Sequence, residues 1–389
     1  MKKLVLFIVL INSIISFAQT SEEFNVILFP QGYGLKLLNS SGNSSIVNDV
    51  SNIGFLNPAS ISQFENYSFG ISYQLSTSID EAWIADIGTS RVYNFYPQSF
   101  GAIAKLNDFT FGLGFGQKYN GTVDMDPIPV TTVQDPDGTG EYFTVVEENS
   151  IQSYSLSTSY SLKELLDISN DISVGVRYSL NRFNQNVELW KIKASADGFY
   201  SSFGLGVNSE FRLDQERKMF IGLFYESANR FRADIEYDDN SLLPNDLDPI
   251  YNQNYTKVSS VLLYCTPSEL KFDLTVDATP DLKFLTNLTT VFWESEKISL
   301  KDQIEFSTSA VYRINEIFSP SLGFYFTDHK YKDNFYSRLN SELGAFFITA
   351  GLKLNFKMFY ADLAIADSHL FSGDFRKQTI GKLALGISL

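Results

Sequence analysis

The residues able to do covalent chemistry are few. The chain has two histidines, His329 and His369, and one cysteine, Cys265. Nucleophilic hydrolysis needs a hydroxyl and an imidazole within hydrogen-bond reach. Ser368 adjoins His369, but neighbours one apart on a strand point to opposite faces. A single cysteine excludes an intramolecular disulfide framework and a Cys-based metal site. No catalytic residue, enzyme activity or cofactor is therefore expected. Hard oxygen ligands are concentrated in 119–150, which carries Asp124, Asp126, Asp135, Asp137, Glu141, Glu147 and Glu148 and no Lys or Arg after Lys118. Asp135-Pro136-Asp137-Gly138 partly matches a calcium loop. Pro136 and the missing later ligands depart from that pattern, so Asp135 and Asp137 are a calcium candidate set against a plain solvated acidic loop.

Three other groups of residues suit binding rather than catalysis. Gly112, Gly114 and Gly116 recur at a period of two and strip the side chains from one face of a strand. That face is either a flat wall against which another segment packs, or a kink that breaks strand pairing and opens the wall sideways. Leu242-Leu243-Pro244 and Ile250-Tyr251 lie within the acidic stretch 228–267. They form either an outer-loop site where an apolar ligand enters, or that loop's own small core. Asn57-Pro58-Ala59 is a rigid turn signal, because proline fixes its own φ and disfavours helix at the residue before it.

The elements that must position these residues are strands. Ile172, Val174, Val176, Tyr178 and Leu180 alternate with Ser173, Gly175, Arg177, Ser179 and Asn181. Leu270, Phe272, Leu274 and Val276 alternate with Glu269, Lys271, Asp273, Thr275 and Asp277. Ser153, Ser155, Ser157, Ser159 and Ser161 oppose Tyr154, Leu156, Tyr160 and Leu162. This period-two pattern predicts strands at 66–77, 97–106, 109–118, 151–162, 171–181, 201–211, 218–227, 268–278, 281–293, 303–313, 317–327, 345–356, 358–366 and 379–389. Segments of about ten residues are long enough to cross a bilayer at a tilt, whereas sandwich strands run to about five or six. Tight turns at Asn107-Asp108, Thr279-Pro280 and Asn315-Glu316 contrast with the long connections 119–150 and 228–267, the asymmetry of an outer-membrane barrel. Fourteen is even, which places both termini on the periplasmic side. Backbone polar groups in lipid must all be paired, so the sheet must close. The fold class is all-β: a transmembrane antiparallel β-barrel of about fourteen strands, 66–389. Phe272, Leu274, Val176 and Phe284 are expected to face lipid, and Lys271, Asp273, Arg177 and Lys283 the lumen.

Composition agrees. Mean hydropathy is −0.07, which suits a barrel because only alternate residues meet lipid. The 34 Phe and 21 Tyr suit strands with aromatic girdles. A formal charge of −15 argues against nucleic acid as a partner. Lys2 and Lys3, the apolar run from Leu4 and Ser16-Phe17-Ala18 make 1–18 a signal peptide. Segment 19–65, with Gly32, Gly34 and a polar stretch from Asn39 to Ser45, does not alternate. A fourteen-stranded barrel is too wide to fill with its own side chains, so this segment is expected to be an N-terminal lumenal plug, the alternative being a disordered tail.

Four stretches together resemble the FadL/TodX family of outer-membrane transporters for long-chain fatty acids and other hydrophobic compounds. Ser51-Asn52-Ile53-Gly54-Phe55-Leu56-Asn57-Pro58-Ala59 is similar to the family's NPA segment. Phe109-Thr110-Phe111-Gly112-Leu113-Gly114-Phe115-Gly116 is similar to its glycine-rich third strand. Thr266-Pro267-Ser268-Glu269-Leu270 through Phe292-Trp293 and Phe346-Phe347-Ile348-Thr349-Ala350-Gly351-Leu352 are similar to two of its hairpins. The resemblance implies a fourteen-stranded barrel with an N-terminal hatch in a Gram-negative outer membrane. It also implies passive uptake of a hydrophobic small-molecule ligand, membrane lipid or detergent as partner, and lateral exit at Gly112, Gly114 and Gly116. The ligand-binding loops carry no matching motif, so the substrate does not transfer. The alternative is a barrel of this kind serving as a docking or shuttle partner for secreted proteins at its outer loops.

Overall fold

The structure, a computed structural model, describes residues 25–26, 49–64, 67–81, 89–129, 140–162, 171–189, 192–238, 258–293, 300–328, 344–371 and 377–389. Fourteen antiparallel strands follow in chain order: β1 Tyr67–Glu81, β2 Thr89–Leu106, β3 Phe109–Pro129, β4 Tyr142–Ser161, β5 Asp171–Leu189 and β6 Ile192–Arg212. Next come β7, in two segments Lys218–Glu226 and Asn229–Asp238, and β8, in two segments Val258–Thr266 and Ser268–Asp277. The remainder are β9 Leu282–Phe292, β10 Gln303–Tyr312, β11 Phe318–Thr327, β12 Ala345–Phe356, β13 Phe359–Asp367 and β14 Lys377–Ser388. Each pairs with the next, and β14 returns to β1 from Ser388↔Ser68 to Lys377↔Ile79, closing the barrel. The two broken strands have a local cause. Pro267 has no N–H to give the ladder, and opposite it β7 slips one residue against β6, from Gly204↔Glu226 to Gly198↔Ala233.

The burial pattern inverts that of a soluble protein. On β5, Val174, Val176, Tyr178 and Leu180 are exposed while Ser173, Arg177, Ser179 and Asn181 are buried. On β4 the four serines Ser153, Ser155, Ser157 and Ser159 are buried and Tyr154 and Leu156 exposed. Phe272 and Phe284 point outward and Asp273 inward, as the alternation predicts. Such a wall is stable only where its outer face meets lipid instead of water.

At one end the turns are short and self-capped. Asn107 takes a positive φ of 54° in the two-residue turn joining β2 to β3. The side chain of Asn315 accepts from the N–H groups of Ile317 and Phe318, and that of Thr279 from Asp281 and Leu282. At the other end β2 to β8 run beyond their expected limits. Residues 119–129 and 142–150 continue β3 and β4, so the long loop expected there is mostly hairpin, as is much of 228–267. The alternation hides this because outward residues turn polar above the apolar band. Glu148 pairs with Asn186 in the ladder, and Arg182 bonds Asp197 across the outer face.

Candidate functional site

Residues 49–64 lie inside the barrel against β1 to β7 and β14, as a 3-10 turn at Val50–Asn52 and a 3-10 helix at Pro58–Gln63. Asn57 caps that helix: its Oδ1 accepts from the Ala59 N–H at 3.0 Å, while its Nδ2 donates to the carbonyls of Val207 and Leu223 at 3.1 and 3.3 Å. One side chain thus ends the turn and ties it to two strands, with Pro58 pre-set for the first helical position. Asp49 holds the other end. It accepts from the Ser51 N–H at 2.9 Å and the Tyr360 hydroxyl at 3.1 Å, with Lys382 at 3.7 Å. Between them Asn52 accepts from Ser99 at 3.1 Å and the Ala59 carbonyl from Ser159 at 3.1 Å.

Close approach is possible because the facing wall lacks side chains. A Cβ on Gly114 would sit 2.6 and 2.7 Å from the backbone N and Cα of Gly54, and one on Gly175 2.4 Å from the N of Ala59. A Cβ on Gly112 would meet Ile53 at 3.2 Å, and one on Gly116 the Phe55 ring at 2.3 Å. The three glycines of β3 are therefore a packing bed for Ile53, Gly54 and Phe55. Of the two readings the sequence left open, the flat wall and the pairing-breaking kink, the stretch follows the first. Pairing is continuous through Gly112–Gly116 with both β2 and β4, because every backbone group in that stretch has a ladder partner.

The wall does part, immediately above. From Leu106↔Phe109 to Ser99↔Gly116 the β2–β3 ladder is unbroken. It resumes only at Ser90↔Met125, so Arg91–Gln98 and Gln117–Asp124 are not laddered to each other. Each strand carries one extra residue at the start of the opening: Gln98 relative to β1, and Lys118 relative to β4. Paired β-bulges bend both strands, and Pro97, beside the first, removes an amide donor. Gln117 Nε2 donates to the Pro97 carbonyl across the opening at a long 3.4 Å. Exposed Tyr93 and Phe95 flank the opening on the outer face.

Two layers lie over the lumenal segment. The lower is charged. Buried Arg177 donates to the Leu56 carbonyl at 2.8 Å and to Glu226 at 3.0 Å, and Glu226 also pairs with Lys118 from the bulge. The upper is aromatic: Phe183, Tyr200, Phe231 and Tyr264, from β5 to β8, meet with ring centroids 4.6 to 5.7 Å apart. Alternation placed Arg177 in the lumen but not its partners. Pro97 and Pro267, prolines inside strand-like runs, were the legible signs of broken pairing. On the outer wall, Phe284, Leu322, Phe324, Phe326, Phe346 and Phe371 line an apolar groove of about 670 Å³.

The remaining candidates stand apart from the lumen or outside the described residues. Ser368 is buried and bonded to Gln378, whereas His369 is turned outward onto Asp367 at 3.0 Å. Leu242, Leu243, Ile250, Tyr251, Asp135, Asp137 and His329 lie outside the described residues.

No family model and no curated relative matches the chain. Solved structures do. The toluene transporter TbuX of Ralstonia pickettii aligns with a TM-score of 0.62 at 12% identity, over 92% of this chain and 98% of that one. A FadL homologue of Pseudomonas aeruginosa aligns at 0.64 and 12%, over 93% and 99%. The toluene transporter TodX of Pseudomonas putida aligns at 0.58 and 13%, over 95% and 99%. This chain has the closed fourteen-stranded barrel fold of the FadL homologue and of these toluene transporters.

Proposed function

We propose that the chain is a passive transporter of hydrophobic small molecules, of fatty-acid or hydrocarbon type, across a Gram-negative outer membrane. Segment 19–65 acts as the plug, both termini are periplasmic, and the ligand leaves sideways between β2 and β3. The observation that carries this reading is the interrupted β2–β3 ladder directly above a lumenal segment held by the glycine bed. An apolar solute gains by moving into lipid, at about 25 cal/mol per Å² of surface removed from water, so a sideways opening offers it a downhill path that a water-filled pore does not. The fold shared with toluene transporters adds support. A docking barrel for secreted proteins would not need an opening in its wall.

Uptake of labelled dodecane is measured in cells with and without the protein. Expression should raise it, and equal uptake refutes the transport reading. Deleting Gln98 and Lys118 together removes both bulges while preserving the β2–β3 register, so the ladder should zip closed and uptake fall to background. A folded double deletion with full uptake places the exit elsewhere.

A further inference from the structure

We infer that Gln98 and Gln74 form a polar subsite beside the wall opening that recognises a neutral hydroxyl-type head group on an otherwise apolar ligand; this rests on the transport reading above. Gln98 is the bulged residue of β2. Like its neighbour Ser99 it is buried, while Pro97 and Phe100 on either side are exposed, so both Gln98 and Ser99 face inward. Gln74, on β1, is inward too, and its register partner Tyr96 is two residues before Gln98. Both glutamines are nearly inaccessible, at 1% and 3% exposure. Among the described residues, neither Oε1 nor Nε2 of Gln98 has a hydrogen-bond partner, nor has Oε1 of Gln74.

Buried amide groups are ordinarily satisfied, because each orphan costs about 1–3 kcal/mol. Leucine would fill similar space in this wall without that cost. Other buried polar atoms of the barrel are unpartnered too, Ser157 and Ser309 among them, but these two glutamines share one height beside the opening. Ser99 bonds the lumenal segment through Asn52, and the β2–β3 ladder parts from Gln98 upward. A molecule moving from above the lumenal segment into the opening passes this edge.

The chemistry of the orphans selects the head group. They supply two carbonyl acceptors and one NH₂ donor. A hydroxyl can donate to a carbonyl and accept from the amide. A carboxylate can only accept, which leaves both carbonyls unmet, and Lys118 at the facing bulge is already paired with Glu226. A pure hydrocarbon satisfies none of them. The subsite therefore favours alcohols over both alkanes and carboxylate anions.

Binding of 1-hexanol, hexane and hexanoate to the detergent-solubilised full chain is measured by titration calorimetry. Wild type should bind 1-hexanol best. Gln98→Leu should weaken 1-hexanol about tenfold, the value of one to two hydrogen bonds, and leave hexane unchanged. Gln74→Leu, the second variant, should produce a smaller loss of the same kind. Equal affinity of wild type for 1-hexanol and hexane, or equal changes for both in Gln98→Leu, overturns the inference and makes the glutamines water-bound wall residues. Stronger binding of hexanoate overturns the choice of a neutral head group. These outcomes are independent of cell uptake, so a transporter without this subsite and a subsite without transport are told apart.

Discussion

Gly114→Ala tests whether the glycines of β3 are a bed for the lumenal segment. The added methyl carbon would lie 2.6 Å from the Gly54 backbone N, 2.7 Å from its Cα and 2.7 Å from Ser155 Oγ. Ordinary contact begins near 3.4 Å, so Gly54 must retreat by about 0.8 Å. Neither side yields easily: β3 is laddered on both edges here, and Gly54 is two residues from Leu56, whose carbonyl holds Arg177 at 2.8 Å. Overpacking of this kind costs about 1–3 kcal/mol, which raises the fraction of molecules with the segment displaced by roughly 5- to 150-fold. The cost should fall on the lumenal segment alone, because the outward face of β3 is untouched.

The assay is the rate at which a protease added to the folded barrel cuts within 49–64. When reclosing outpaces cleavage, that rate follows the open population. Gly114→Ala should be cut faster by the factor above, with the barrel's melting temperature by circular dichroism nearly unchanged. Gly381→Ala is the control, since a Cβ there meets nothing closer than 3.9 Å. Equal cutting of Gly114→Ala, Gly381→Ala and wild type would refute the idea that these glycines hold the segment by close packing.

Arg177→Met should leave Glu226 with Lys118 and Ser202 and take the Arg177 donor from the Leu56 carbonyl. Breaking a buried pair costs on the order of 3 kcal/mol, so this variant should combine fast cleavage of 49–64 with a lowered guanidinium midpoint, and an unchanged midpoint would count the pair as solvated. Trp293 donates from Nε1 to Gln303 at 3.2 Å in a buried cluster; Trp293→Phe should cost about 1 kcal/mol, read from the same unfolding curve. In the β6–β7 turn, Asp214 accepts from the backbone N–H of Glu216, then from Arg217, which holds its carboxyl below the usual range. A depressed folded value stabilises at pH above the unfolded value of about 3.9 and is lost as pH falls through the folded one. Carboxyl chemical shifts should therefore place Asp214 below a model aspartate, and a normal titration would show the turn to be open.

Much of the barrel was legible because its inner and outer faces differ in chemistry. Wherever lipid meets one face and lumen the other, as on β5 with Val174-Gly175-Val176-Arg177, the alternation is strict and each expected strand is present. It failed at the far ends of β2 to β8, where both faces are polar or mixed. Backbone pairing continues from Ser150 to Val145 and from Asn184 to Leu189, but hydrophobicity no longer marks which residue points where. The lumenal segment was legible as an exception: it breaks the alternation, and Asn57-Pro58 marks its turn. What a single chain does not disclose is which distant side chains share a lumen. Lys118, Arg177 and Glu226 are far apart in sequence, and only the closure of the sheet makes them one layer.

The glycines carry a more specific lesson. Three glycines on one strand face are compatible with a break and with a bed, since both need a missing Cβ. The difference lies in what else the backbone has to pair with. At Gly112–Gly116 the neighbouring residues Ala102, Ile103, Ser155 and Ser157 offer regular ladder positions, so bare backbone stays paired and the absent side chains admit Ile53, Gly54 and Phe55. At Gln98 and Lys118 the side chains are large, yet each strand has one residue too many for its outer neighbour, and Pro97 withholds a donor. Register, not side-chain size, is what parts the wall. The two features nevertheless meet: Phe55 lies over Gly116, the last residue of β3 laddered to β2 before the opening. If transport proceeds sideways, Phe55 is the side chain at the threshold. Phe55→Ala should then raise dodecane uptake while leaving Arg177, Asn57 and Asp49 to hold the segment in place. Unchanged uptake in a Phe55→Ala barrel whose segment 49–64 remains protease-protected would detach the lumenal segment from the exit.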